Sequence, residues 1–127
     1  NPAGIKEVMQ QWGKVSAQSK HIIVGFVKDK DVDEALSLFP KNSVYYFCNA
    51  GIPRALPASE LKKIAGAHGL EGHMYPTVAE AIAAAKLAIG QHDAVLITGS
   101  FFVVGEAIEY LNVNNGMLFP TTLENYH

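Results

Sequence analysis

Cysteine is nearly absent. The one residue, Cys48, excludes an intrachain disulfide and fits a reducing compartment. A basic excess is missing too: 10 Lys and Arg stand against 12 Asp and Glu, for a formal net charge of -2. Such a balance offers no face to a nucleic-acid backbone or an anionic lipid surface. No apolar run reaches the ~20 residues that a membrane-spanning helix needs, and no charged-then-apolar leader opens the chain. The expectation is a soluble, cytoplasmic monomer that binds neither nucleic acid nor membrane. Phosphate-binding glycine motifs are also lacking. Gly13-Lys14 is followed by Val15 and has no glycine at the right distance upstream, and no G-x-G-x-x-G follows the first apolar run. There is no nucleophile elbow. His21, His68, His73, His92 and His127 show no ligand spacing with one another or with Cys48, so no metal site is assigned. Cys48 closes an apolar run and reads as a packed core thiol.

What is present is one domain's worth of alternating pattern in 127 residues. Ile5, Val8, Met9, Trp12 and Val15 mark one face of a helix from Pro2 to about Gln18, with Asn1 as its cap and Pro2 in its first turn. A chain that starts on a helix cap reads as having lost what preceded it. His21–Phe26 is a continuous apolar run of the kind buried on both faces of a sheet. Asp31 caps a short helix that Pro40 follows. Further strands are expected at Ser43–Cys48, His73–Tyr75 and Asp93–Thr98. Further helices are expected at Ala58–His68, at Val78–Ile89 behind a Thr77/Glu80 capping box, and from Phe101 to about Leu111. Alternation of this kind predicts an α/β, Rossmann-like and mostly parallel sheet of about four strands with helices on both faces. The domain is bounded at 1–111. The tail 112–127, polar apart from Met117-Leu118-Phe119, is either disordered or packed along an edge.

Ligands of open parallel sheets bind beyond the carboxyl ends of the strands. Thr98-Gly99-Ser100 is the best local candidate. Its amides and the Ser100 hydroxyl suit a carboxylate or phosphate at a helix start, although a plain helix cap explains the same residues. Lys28-Asp29-Lys30-Asp31 holds alternating charge after the first strand and reads equally as a solvated loop. Arg54, on a turn set by Pro53, carries a guanidinium fork that fits a carboxylate, and taken alone it reads as a surface arginine.

Taken together, several segments resemble the C-terminal domain of the folylpolyglutamate synthase/dihydrofolate synthase family, within the Mur ligase superfamily. They are the Asn1-Pro2 helix start, the strand leading to Asp29-Lys30-Asp31, the loop Pro53-Arg54-Ala55-Leu56-Pro57, and Val95-Leu96-Ile97-Thr98-Gly99-Ser100 with Phe101 to Gly105-Glu106. The resemblance runs from Asn1 to about Leu111. Family members read Asp-Gly-Ala-His before the Asn-Pro pair, and only that pair stands here. The resemblance implies ATP-dependent amide formation: a folate or dihydropteroate carboxylate takes a phosphoryl group from ATP, and the amine of L-glutamate displaces phosphate from the acyl phosphate. It also implies that ATP and magnesium are held mainly by other domains. This chain binds none by itself and contributes no catalytic residue. Thr98, Gly99, Ser100 and Arg54 would bind substrate, while Asn1, Asp29, Lys30 and Asp31 would face the cleft or aid domain closure. An acyl phosphate needs shielding from water, so the chain alone should be inactive.

Two other readings stand beside this one. A peptidoglycan Mur ligase shares fold and mechanism but differs in substrate. A stand-alone flavodoxin-like interaction domain of phospho-receiver type would need a phosphorylatable Asp at a central strand end and a Lys at the last. Cys48-Asn49 and Thr98-Gly99-Ser100 occupy those positions instead.

Overall fold

The computed structural model describes residues 2–28 and 30–114. Asn1, Asp29 and 115–127 lie outside them, and with them the expected Asn1 cap, the cleft role of Asp29 and the Met117–Phe119 patch. The order is α1 (Pro2–Gly13), β1 (Lys20–Gly25), α2 (Val32–Leu36), β2 (Val44–Cys48), α3 (Ala58–Ala67), β3 (Gly72–Tyr75), α4 (Val78–Ala88), β4 (Ala94–Gly99) and α5 (Phe101–Val113). The four strands form one sheet in the order β3-β2-β1-β4, parallel throughout.

The unbroken apolar run of β1 makes it a central strand. Ile22, Ile23 and Val24 have no exposed surface, and burying each contributes about 1.5–3 kcal/mol. Alternation splits the side chains between two cores. Ile22 and Val24 join Tyr45 and Phe47 against Trp12, Leu36 and Leu61, so α1, α2 and α3 cover one face. Ile23 joins Tyr46, Cys48, Val95 and Ile97 against Ala81, Ile82 and Val103, so α4 and α5 cover the other. Ala81 and Ala85 are fully buried. Their small side chains let α4 lie close to the sheet.

The chain steps outward from β1 to β2 and β3, then returns through α4 to place β4 on the far side of β1. Direction and helix face reverse together, as right-handed crossovers require. The reversal opens a switch point at the carboxyl ends of β1 and β4, where open α/β sheets form their ligand crevice.

Local caps follow the sequence closely. Asp31 accepts the Glu34 amide at 3.0 Å and starts α2. Thr77 accepts the Glu80 amide at 3.1 Å while its hydroxyl donates to the Glu80 carboxylate at 3.0 Å. Gly69, just past α3, takes φ 77°. Strand and helix ends shift by a residue in several places, α2 stops at Leu36, short of Pro40, and the ends of α1 and α5 also depart from expectation. Helix α1 stops at Gly13, after which Lys14 and Val15 make tighter i→i−3 bonds to Gln11 and Trp12, and Val15 turns out to solvent. The expected extension to Gln18 fails because glycine ends the helix before the apolar stripe does. Helix α5 runs on to Val113, past the expected Leu111, and Asn114 closes it with side-chain and backbone bonds to the Tyr110 carbonyl.

Candidate functional site

Three loops meet at the switch point. The chain leaving β1 runs antiparallel to the loop leaving β2: Lys28 N–H donates to the Arg54 carbonyl at 2.8 Å, Leu56 N–H donates to the Phe26 carbonyl at 2.9 Å, and Val27 pairs with Ala55. This short zipper sets Arg54 beside the β1 exit. The third loop is Gly99-Ser100. Gly99 has φ 118°, and a Cβ there would stand 2.0 Å from the Gly25 carbonyl oxygen. Only glycine lets β4 end this close to β1. The same oxygen accepts the Ser100 amide at 2.9 Å, which turns the chain into α5.

A pocket of about 240 Å³ lies between these loops. Lys30, Asp31, Arg54, Gly99 and Ser100 border it, together with an apolar body that includes Ile5, Phe26 and Phe102. Five residues singled out from the sequence, drawn from three separate segments, therefore share one wall system. Thr98 does not. It is 5% exposed and sits in the strand register opposite Val24, so it supports the turn from within the sheet. Asn1 and Asp29 fall outside the described residues.

The polar groups have specific commitments. The Ser100 amide is taken by Gly25, and the Ser100 Oγ accepts the Val103 amide at 3.2 Å, the N-cap bond of α5. The hydroxyl proton is its remaining donor. Asp31 uses Oδ1 to cap α2. Among the described residues no group of three ligating side chains could hold a metal ion. The pocket thus combines an apolar body, two cationic side chains, the Asp31 carboxylate and a hydroxyl. That set suits a small molecule bearing a carboxylate and a short carbon stem.

The sequence reading missed the apolar half of this wall. Phe101 and Phe102 stand edge-to-face, with ring centroids 6.3 Å apart, and remain 66% and 40% exposed. Two aromatic residues immediately after a strand-end Gly-Ser were the available signal, because a helix start beside a crevice cannot bury both rings. It also missed a network at the opposite end of the sheet. With its proton on Nε2, buried His21 donates to Asp93 at 3.0 Å and accepts the Tyr46 hydroxyl at Nδ1 at 2.9 Å. The Gly90 amide, and after it His21, hold the Asp93 carboxyl below its usual range. Burial, then Tyr75 and Asp93, push the Tyr46 phenol up. The network ties β1, β2 and the β4 entry together at the amino ends of the strands, the end opposite the pocket.

Fold and pocket define a Rossmann-like α/β domain with a pocket at a strand-order reversal. The Mur ligase glutamate ligase domain family matches residues 1–101, and the chain belongs to that family. No curated protein sequence matches it. Among solved structures it is similar to E. coli FolC in complex with DHPP and ADP, with a TM-score of 0.80 and 23% identity over 91% of this chain and 27% of that one. A bifunctional folylpolyglutamate synthase/dihydrofolate synthase with Mn, AMPPNP and L-glutamate bound gives 0.76 and 22%, over 88% and 27%. Mycobacterium tuberculosis folylpolyglutamate synthase complexed with ADP and AMPPCP gives 0.73 and 26%, over 86% and 27%. The chain spans about a quarter of the length of these structures. Among the described residues, no helix is long and apolar enough to cross a membrane.

Proposed function

We propose that this chain is the amino-acid-binding and closure domain of an ATP-dependent ligase that adds L-glutamate to a folate or dihydropteroate carboxylate. The observation that carries this reading is the switch-point pocket, where Lys30, Arg54 and Ser100 converge on an apolar body within a stretch matched by a glutamate ligase family. Lys30 and Arg54 bind the carboxylates of the incoming amino acid, and the Ser100 hydroxyl orients it. Gly99 lets a ligand approach the backbone, while Thr98 holds the turn from behind. Asp31 faces the cleft across which the domains close.

Among the described residues, the pocket does not fit ATP and magnesium. The one pocket carboxylate described, Asp31, caps α2, and the sequence has no phosphate-binding loop. In this reading those groups belong to other domains of the ligase, and this chain's part is to present glutamate and exclude water on closure. It works as a cytoplasmic monomer.

The test is a domain exchange. The chain replaces the corresponding domain of E. coli FolC, and glutamate-dependent phosphate release from ATP is measured with dihydropteroate as acceptor. Turnover in the chimera and none from the chain alone is the expected result. A folded chimera that binds ATP and dihydropteroate yet never responds to glutamate counts against the reading.

A further inference from the structure

The loop between β2 and α3 carries Arg54, and it reaches the pocket without a strand or helix of its own. Its path is set by bonds at its start, middle and end. At its start the Asn49 Oδ1 accepts the Ala58 amide at 3.1 Å and caps α3. At its end Ala55 and Leu56 join the zipper with Phe26, Val27 and Lys28. In its middle the Gly51 amide donates to the Glu106 Oε2 at 2.8 Å. That acceptor comes from α5, 55 residues further along the chain, two turns beyond the Ser100 cap.

A carboxylate accepting a backbone amide forms a charge-assisted bond, stronger than a neutral one. Glu106 neither lines the pocket nor caps its own helix, which begins at Phe101. Its carboxylate bridges outward to a loop. The bond does not depend on glycine at position 51: a Cβ there would meet the Oε2 at 3.7 Å, an ordinary contact. The bond links the helix that Ser100 starts to the loop that presents Arg54, and so joins the two polar walls of the pocket.

We infer that Glu106 is a positioning residue that fixes the Asn49–Pro57 loop, and through it Arg54, against the helix carrying Ser100. In its consequence for glutamate the inference rests on the function proposed above. In its consequence for the loop it does not.

The experiment is amide NMR on the chain with Glu106, Glu106→Gln and Glu106→Ala. In the parent sequence the Gly51 amide shift should follow a carboxylate titration. In Glu106→Gln that titration should vanish while the bond persists through the amide oxygen. Hydrogen exchange at Lys28 and Leu56 should stay near the parent rate in Glu106→Gln and rise about tenfold in Glu106→Ala, the equivalent of one lost hydrogen bond. Binding of added L-glutamate should weaken by a similar factor in Glu106→Ala alone. A Gly51 amide that ignores the carboxylate titration overturns the inference whether or not either variant folds. So does a folded Glu106→Ala with parental exchange at Lys28 and Leu56. If the parent chain shows no glutamate response while the exchange pattern holds, the substrate reading fails and the positioning role stands.

Discussion

Gly25 and Gly99 end neighbouring parallel strands with their backbones almost in contact. The carbonyl oxygen of Gly25 sits 2.0 Å from where a Cβ of Gly99 would be, and a Cβ on Gly25 would stand 2.4 Å from the Cys48 carbonyl oxygen. Three strand ends are thus drawn together through two residues without side chains, and the pocket opens directly above them.

Gly99→Ala should therefore be severe. The residue would carry φ 118°, which costs an alanine about 1–3 kcal/mol, and its methyl would meet backbone that cannot rotate away. A loss of about 2–4 kcal/mol in urea unfolding is expected. An unchanged midpoint would show that the two strands can part freely.

The cap bond of Ser100 and the ligand role proposed for it can be separated. Its Oγ caps α5 by accepting the Val103 amide, and in the proposed function its proton is donated to the substrate. Ser100→Ala should lower stability by about 1 kcal/mol, whereas glycine at an N-cap costs only a few tenths. Ser100→Gly in the complete ligase should then fold nearly as the parent and raise the glutamate KM. Unaltered kinetics in that variant would reduce Ser100 to a cap.

Most of the architecture was legible in the sequence because local signals agree with one another. Ile22-Ile23-Val24 marks a strand buried on both faces, the Thr77/Glu80 box and Asp31 mark helix starts, and Gly69 marks a helix end. The polar side of the pocket was legible too, since Lys30, Arg54 and Ser100 all follow strand ends. What stayed hidden depends on three-dimensional pairing. Glu106 reads as an ordinary helix-surface acid until the Gly51 loop is seen above it. The antiparallel join of Val27 to Ala55 has no periodicity to announce it. His21 and Asp93 lie 72 positions apart, and only the pairing of β1 with β4 brings them together.

That last pair carries a pH dependence. Asp93 has a folded pKa below its ordinary 3.8, chiefly through the Gly90 amide and then through His21. A depressed carboxyl stabilises the fold fully above its unfolded value and loses that contribution as pH falls through the lower folded value. Stability of the parent should thus decline on acidification below about pH 4. Asp93→Asn, which cannot titrate, should start less stable at neutral pH and decline less over that acid range. Parallel acid profiles for the two proteins would remove Asp93 from the account.

Cys48 should be chemically silent in the folded chain. It is fully buried at the end of β2, its thiol points at the Val24 carbonyl at 3.6 Å, and burial, followed by the nearby Glu106 carboxylate, pushes its pKa up to about 12. Thiolate is the reactive form, so at neutral pH almost none is present, and a reagent must wait for the strand to open. Alkylation by iodoacetamide should be negligible without denaturant and complete in it. Because burial outranks Glu106 as the cause, Glu106→Ala should leave the native thiol protected even as it loosens the Gly51 loop. Rapid labelling in that variant would mean that the loop and the β2 end open together, and that the Glu106 bond guards the sheet as well as the pocket.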